Sequence, residues 1–223
     1  MSMPRAEYTE QLAALRRDVV AIGELVLERY EEALEAREGR EAALAERVIE
    51  GDREVNERYL AVERDCIDLF ALEQPVAGDL RLVASSFKIA TDLERVGDLA
   101  TNLAADAEAP PGESFPSADV GALASEAGDM LADALDAYAT DDEAACWAVA
   151  ERDDDLDAAC EAAGEAVVTE LIRAGPAVEA EPLLEATKRR LLSIRDVERV
   201  GDHAVNVAAR TLYMTDHDDS LLY

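Results

Sequence analysis

Two fourteen-residue stretches, Asp92-Leu-Glu-Arg-Val-Gly-Asp-Leu-Ala-Thr-Asn-Leu-Ala-Ala105 and Asp196-Val-Glu-Arg-Val-Gly-Asp-His-Ala-Val-Asn-Val-Ala-Ala209, are identical at ten positions. In each, a glutamate, an aspartate and an asparagine recur at steps of four: Glu94, Asp98 and Asn102, then Glu198, Asp202 and Asn206. On a helix that spacing sets the three side chains along one stripe. Carboxylate and amide oxygens grouped in this way suit a hard, oxygen-preferring cation, whereas zinc more usually recruits histidine or cysteine. Without a cation, two carboxylates one turn apart repel by a few tenths of a kcal/mol on an exposed helix. Partial burial makes the repulsion worse. A structural reading stands beside the metal reading, in which Arg95 and Arg199 neutralise the acids in a salt-bridge network. With 51 acidic residues among 223, one acidic pair four residues apart arises by chance repeatedly, so only the duplicated ERVGDxxxN carries weight.

Both copies also hold a glycine, Gly97 or Gly201, in mid-pattern. Glycine costs a helix about 1 kcal/mol relative to alanine. That cost in both copies points to close approach by another helix or by an ion.

The elements that must carry these stripes are helices. Breakers at Gly39, at Pro75 with Gly78, at Gly175 with Pro176, and at Pro182 leave long segments of helical apolar spacing. The first, about residues 5–38, lines up Leu12, Leu15, Val19, Ile22, Val26, Tyr30 and Leu34. The others span about residues 40–72, 79–107, 119–140, 141–174 and 181–213. Whether the fourth runs unbroken into the fifth or bends near Thr140 is open. The strongest punctuation, Ala109 to Ser117 with three prolines and a glycine, falls near the midpoint. The expected architecture is therefore all-α: two tandem three-helix bundles related by internal duplication. Their expected bounds are 1–109 and 118–214, joined by a proline-rich linker at 110–117 and followed by an acidic tail at 215–223.

Composition narrows the function. The formal charge is −30, and only Lys88 and Lys188 are lysines. Such a surface disfavours nucleic acid, whose phosphates need positive charge, and anionic membranes for the same reason. A hydrophobic content of 49% with helical periodicity argues against disorder. Adaptation to a salt-rich cytoplasm is the reading preferred here, because at molar salt the Debye length is about 3 Å and self-repulsion is screened. No stretch is apolar enough to span a bilayer, and the charged N-terminal residues lack a signal-peptide core. Cys66, Cys146 and Cys160 form no CxxC pair and read as reduced core residues. A cytoplasmic protein is expected.

The duplicated ExxxD within ERVGD resembles the PhoU family. So do Gln74-Pro75-Val76-Ala77-Gly78-Asp79-Leu80-Arg81, as that family's loop between its second and third helices, and Gly51-Asp52-Arg53-Glu54-Val55-Asn56, as its entry to the second helix. The resemblance covers most of the chain. It implies a cytosolic negative regulator of phosphate uptake, partnered by the ATP-binding subunit of a phosphate ABC transporter, with a sensor kinase or other regulator as a further partner. It also implies metal ions, an iron cluster foremost, with zinc, manganese or magnesium as alternatives. Carried over by position, the metal ligands are Glu94 and Asp98 in the first half and Glu198 and Asp202 in the second. Asp52 with Asn56, and Asp153 with Asp157, take the weaker positions on the second helices. The second half lacks a QPVAGDLR counterpart, having Ala174-Gly-Pro-Ala-Val-Glu-Ala-Glu-Pro182 instead, which puts its loop geometry in doubt. His203 replaces Leu99 and reads as an ordinary helix-surface or interfacial histidine ahead of an extra ligand.

Three function classes compete: a regulatory adaptor, a carboxylate-bridged metalloenzyme, and a PhoU-like module serving another transporter or a transcriptional circuit. Ferritin-like di-iron sites use Glu-x-x-His on paired helices, and neither that element nor a Walker loop occurs in this sequence. The adaptor, not an enzyme, is the expectation, with a homodimer as the default assembly.

Overall fold

A computed structural model describes residues 5–75, 77–108, 119–174 and 180–222. Six long helices account for most of them: α1 (Arg5–Gly39), α2 (Ala42–Asp68), α3 (Gly78–Ala105), α4 (Val120–Thr140), α5 (Glu143–Ala174) and α6 (Ala180–Thr215). There is no strand among the described residues. A π-helical turn, Leu69–Glu73, extends α2, and short 3-10 turns follow α3 and α6. The proline-rich segment 110–117 and residues 175–179 of the second α-hairpin lie outside the described residues.

Local chemistry explains the ends. Asp119 caps α4 by accepting from the Ala122 amide at 3.1 Å, and Asp142 caps α5 by accepting from the Ala145 amide at 3.0 Å. Between them Asp141 adopts a left-handed conformation, φ 57°, so α4 stops and α5 starts anew. That settles the junction at Thr140 as a break. The stripe on α1 is buried from Leu12 through Tyr30, while Leu34 is half-buried and Ala33 and Ala36 take the core positions beside it.

Within each half the three helices pack on one another, α1–α2–α3 and α4–α5–α6. The halves also pack together, α3 against α6 and α1 against α4. One continuous apolar core draws on all six helices. The outer positions fall to α2 and α5, whose main packing is within their own halves. Two buried tyrosines tie the halves reciprocally. Tyr30 of α1 donates to the Ala124 carbonyl of α4 at 2.9 Å, and the Tyr138 hydroxyl of α4 meets Ser86 Oγ of α3 at 2.7 Å. The three cysteines are buried and unpaired by disulfide, and burial pushes their thiols up to about 11 or 12, as expected of inert core residues.

Candidate functional site

The helix-to-helix register decides where the acids meet. Gly97 of α3 faces α2, and a β-carbon there would stand 3.3 Å from Val55 Cγ1 and 3.6 Å from Asp52 Oδ1. Gly201 of α6 faces α5 in the same way, its β-carbon 2.5 Å from Leu156 Cδ2 and 3.5 Å from Asp153 Oδ1. The mid-helix glycines thus serve close helix approach, and each admits an aspartate against the backbone of the neighbouring helix. Positions 52, 55 and 56 of α2 correspond to 153, 156 and 157 of α5, so the duplication extends to the second helices.

Asp52 and Asp153 are half-buried, and one oxygen of each, Oδ1, is buried without a hydrogen-bond partner. A buried carboxylate oxygen normally has a donor. The other oxygen of Asp52 accepts from Asn56 Nδ2 at 2.6 Å. In the second half position 157 is a carboxylate, and the amide donor is lost.

The electrostatics follow from that difference. Burial raises the Asp52 carboxyl, the charge of Asp98 raises it further, and the Asn56 hydrogen bond opposes both. Glu94 is raised by burial, then by Asp98 and Asp52, against Arg95. In the second half burial pushes Asp153 up to about 6, aided by Asp157, Asp202, Asp154 and Glu198. Asp157 and Glu198 are also raised, chiefly by burial and then by neighbouring carboxylates. Each half therefore gathers its four sequence-predicted positions, Asp52, Asn56, Glu94 and Asp98 or Asp153, Asp157, Glu198 and Asp202, into one repulsive cluster between its second and third helices.

Neither Arg95 nor Arg199 forms an ion pair among the described residues; both are exposed. The salt-bridge network thus lacks the cations expected to build it. The donor set fits a hard cation in chemistry, since all eight residues offer oxygen and two oxygens are orphaned. It does not yet fit in arrangement. Among the described residues no group of three or more His, Cys, Asp or Glu is set to hold a metal ion.

The stripes do not stay whole. Asn102 is exposed, whereas Asn206 Nδ2 turns to Asp92 Oδ1 across the α3–α6 contact at 3.4 Å. His203 donates from Nδ1 to the same oxygen at 2.9 Å and is buried. It belongs to the contact between halves, away from the second acidic cluster. Sequence reasoning passed over Asp92 and its repeat mate Asp196, both buried carboxylates. The signal was available: aspartate stands at the head of both repeated stretches. The repeat breaks at their partners, because position 99 is leucine where 203 is histidine, and Asp196 binds the adjacent Arg195 at 2.7 Å instead.

Comparison with known proteins matches this geometry. The PhoU domain model matches residues 19–107 and again 120–211. A Pseudomonas putida protein named phosphate-specific transport system accessory protein PhoU homolog is 30% identical over 215 residues, covering 93% of this chain and 80% of that protein. The Escherichia coli K12 phosphate-specific transport system accessory protein PhoU is 28% identical over 219 residues, covering 96% and 87%. The crystal structure of PhoU from Pseudomonas aeruginosa superposes with a TM-score of 0.85 at 29% identity, over 95% of this chain and all of that one. The phosphate transport system regulatory protein PhoU from Streptococcus pneumoniae gives a TM-score of 0.80 at 27% identity. With two domain matches, relatives alike over 93–96% of this chain, and a duplicated ERVGD in the third helix of both halves, this chain belongs to the PhoU domain family.

Proposed function

We propose that the chain is an accessory regulator of phosphate transport that restrains uptake, and the starvation response, when phosphate is plentiful. The observation that carries this is similarity over 93–96% of this chain to relatives named as phosphate transport accessory proteins, with two PhoU domain matches. No helix among the described residues is long and apolar enough to cross a membrane. The proposed route of control is a protein contact, with the ATP-binding subunit of the phosphate transporter as the proposed partner. A sensor kinase is a second candidate partner.

The acidic clusters are proposed as metal sites. Glu94, Asp98 and Asp52 with Asn56 would hold one ion or cluster, and Glu198, Asp202, Asp153 and Asp157 the other. A bound cation would offset these carboxylates, and the orphaned oxygens of Asp52 and Asp153 would become its donors. Because no three ligands converge beforehand, binding would draw side chains together between α2 and α3, and between α5 and α6. A metal so bound would set the spacing of each outer helix.

Capture of the phosphate transporter's ATP-binding subunit from the same organism, in molar salt, tests the regulatory reading. Specific, saturable binding is expected. Absence of binding, with capture of another transporter's subunit in its place, would move the chain to the competing reading of a PhoU-like module for a different circuit.

A further inference from the structure

The two acidic clusters hold equivalent places in the duplication but do not carry equivalent charge. Asp52-Arg53-Glu54-Val55-Asn56 of α2 corresponds to Asp153-Asp154-Asp155-Leu156-Asp157 of α5. The first stretch sets one arginine against two acids, whereas the second has four aspartates and no base. The apolar position that packs on the mid-helix glycine is kept, as Val55 or Leu156. The third helices add no such contrast, because Glu94 and Asp98 match Glu198 and Asp202.

In the first cluster the protein already supplies part of what a cation would. Asn56 Nδ2 donates to Asp52 Oδ2 at 2.6 Å, which leaves Oδ1 of that carboxylate without a partner. An amide offers a cation one neutral oxygen, and its nitrogen end, here turned to Asp52, offers none. In the second cluster Asp157 brings no donor and adds two anionic oxygens instead. Asp153 keeps its orphaned Oδ1, and the charges of Asp157 and Asp154 both bear on it.

Two effects oppose each other. Preorganisation favours the first cluster, since Asn56 holds Asp52 in place; ligand charge favours the second. Charge wins, because ligand charge count tunes hard-cation sites over orders of magnitude in dissociation constant. Asn56, moreover, orders a carboxylate already confined by the helix contact at Gly97. Molar salt does not cancel the difference. Its screening length is about 3 Å, and oxygen ligands sit closer to a cation than that, at about 2.0–2.6 Å.

We propose that the halves are unequal metal sites: the second-half cluster binds a divalent cation more tightly and fills first, with Asn56 against Asp157 setting the difference. This inequality rests on the metal reading above and deepens it. At limiting metal the chain is loaded in its second half alone, and α5–α6 is drawn together before α2–α3. The first half then responds only when metal is plentiful.

The test titrates the chelator-treated full chain with manganese(II), a cation suited to carboxylate ligands, in molar potassium chloride. Calorimetry compares wild type with Asn56→Asp and Asp157→Asn, near-isosteric exchanges that each give one cluster the other's residue. Wild type should show a tight and a weak class of site, about tenfold or more apart in dissociation constant. Asn56→Asp should bring the weak class up to the tight one, and Asp157→Asn should bring the tight class down to the weak. Circular dichroism should show all three chains equally helical; if one variant loses helicity, the opposite exchange decides. Equal classes in wild type, or exchanges that leave both classes unmoved, would overturn the inequality and leave the metal reading standing. No manganese bound by wild type would overturn the metal reading, and the inequality with it.

Discussion

Asp153 on α5 lies against Gly201 on α6, its Oδ1 3.5 Å from the point a β-carbon would occupy and without a hydrogen-bond partner. The first half repeats the relationship with Asp52 and Gly97. Glycine here lets an acid enter a helix contact, and one oxygen of that acid enters without a protein donor. A cation answers that arrangement better than water-exposed arginines that form no ion pair with these acids among the described residues.

The two glycines should respond differently to a methyl group. At Gly201 a β-carbon meets Leu156 Cδ2 at 2.5 Å, so the leucine must shift, while at Gly97 the nearest atom, Val55 Cγ1, is 3.3 Å away. Alanine gains about 1 kcal/mol in helix propensity at either site, and overpacking costs about 1–3 kcal/mol. Gly201→Ala should therefore lose on the order of 1 kcal/mol net, while Gly97→Ala stays near neutral. Thermal melts in molar salt would show it as a drop of about 2–4 °C for the first variant only.

Acid should stabilise the metal-free protein. The folded state holds the Asp153 proton up to about 6, against the ordinary aspartate value of 3.8. Between those values the native chain binds more protons than the unfolded one, so stability falls as pH rises through the window. Asp52, Glu94, Asp157 and Glu198 are shifted the same way and act with the same sign. After chelation, the melting temperature should be higher at about pH 5 than at about pH 7. Asp153→Asn should flatten that trend and raise the melting temperature at neutral pH. A melting temperature that climbs from pH 5 to 7 in the chelated protein would contradict the cluster's electrostatics.

The Asp92–His203 contact should matter for stability but not for metal. His203→Leu restores the residue of the first copy, leaving buried Asp92 with only the long 3.4 Å bond from Asn206. Loss of a partner to a buried acid costs about 1–3 kcal/mol. A melting temperature lower by about 5 °C is expected, with metal content unchanged. Loss of metal in this variant would return His203 to the ligand set.

Much of this architecture is legible in the sequence because duplication writes each signal twice. The six helices follow from apolar spacing and breakers, and α3 with α6 from the repeated ERVGD. The role of Gly97 and Gly201 was narrowed to two choices, and the packing of α2 and α5 selects close helix approach. What apolar periodicity cannot encode is which neighbour a buried face meets. Tyr30 and Tyr138 fit the buried stripes of their helices, yet each hydroxyl crosses to the other half. Asp92 looks like one more acid in an acid-rich chain until α6 brings His203 beside it. The break at Asp141 turns on one left-handed residue and two aspartate caps, a choice local to a few dihedral angles. The α2–α3 turn resembles a familiar loop, but exposure of its apolar residues depends on what the rest of the fold leaves uncovered.

The most direct measurement is metal content. The chain purified without chelator should carry bound metal, measured by elemental analysis, and Asp52→Ala with Asp153→Ala should lose most of it while keeping wild-type helicity. Metal-free wild-type protein that takes up none on reconstitution, or an unchanged content in the double variant, would contradict the account.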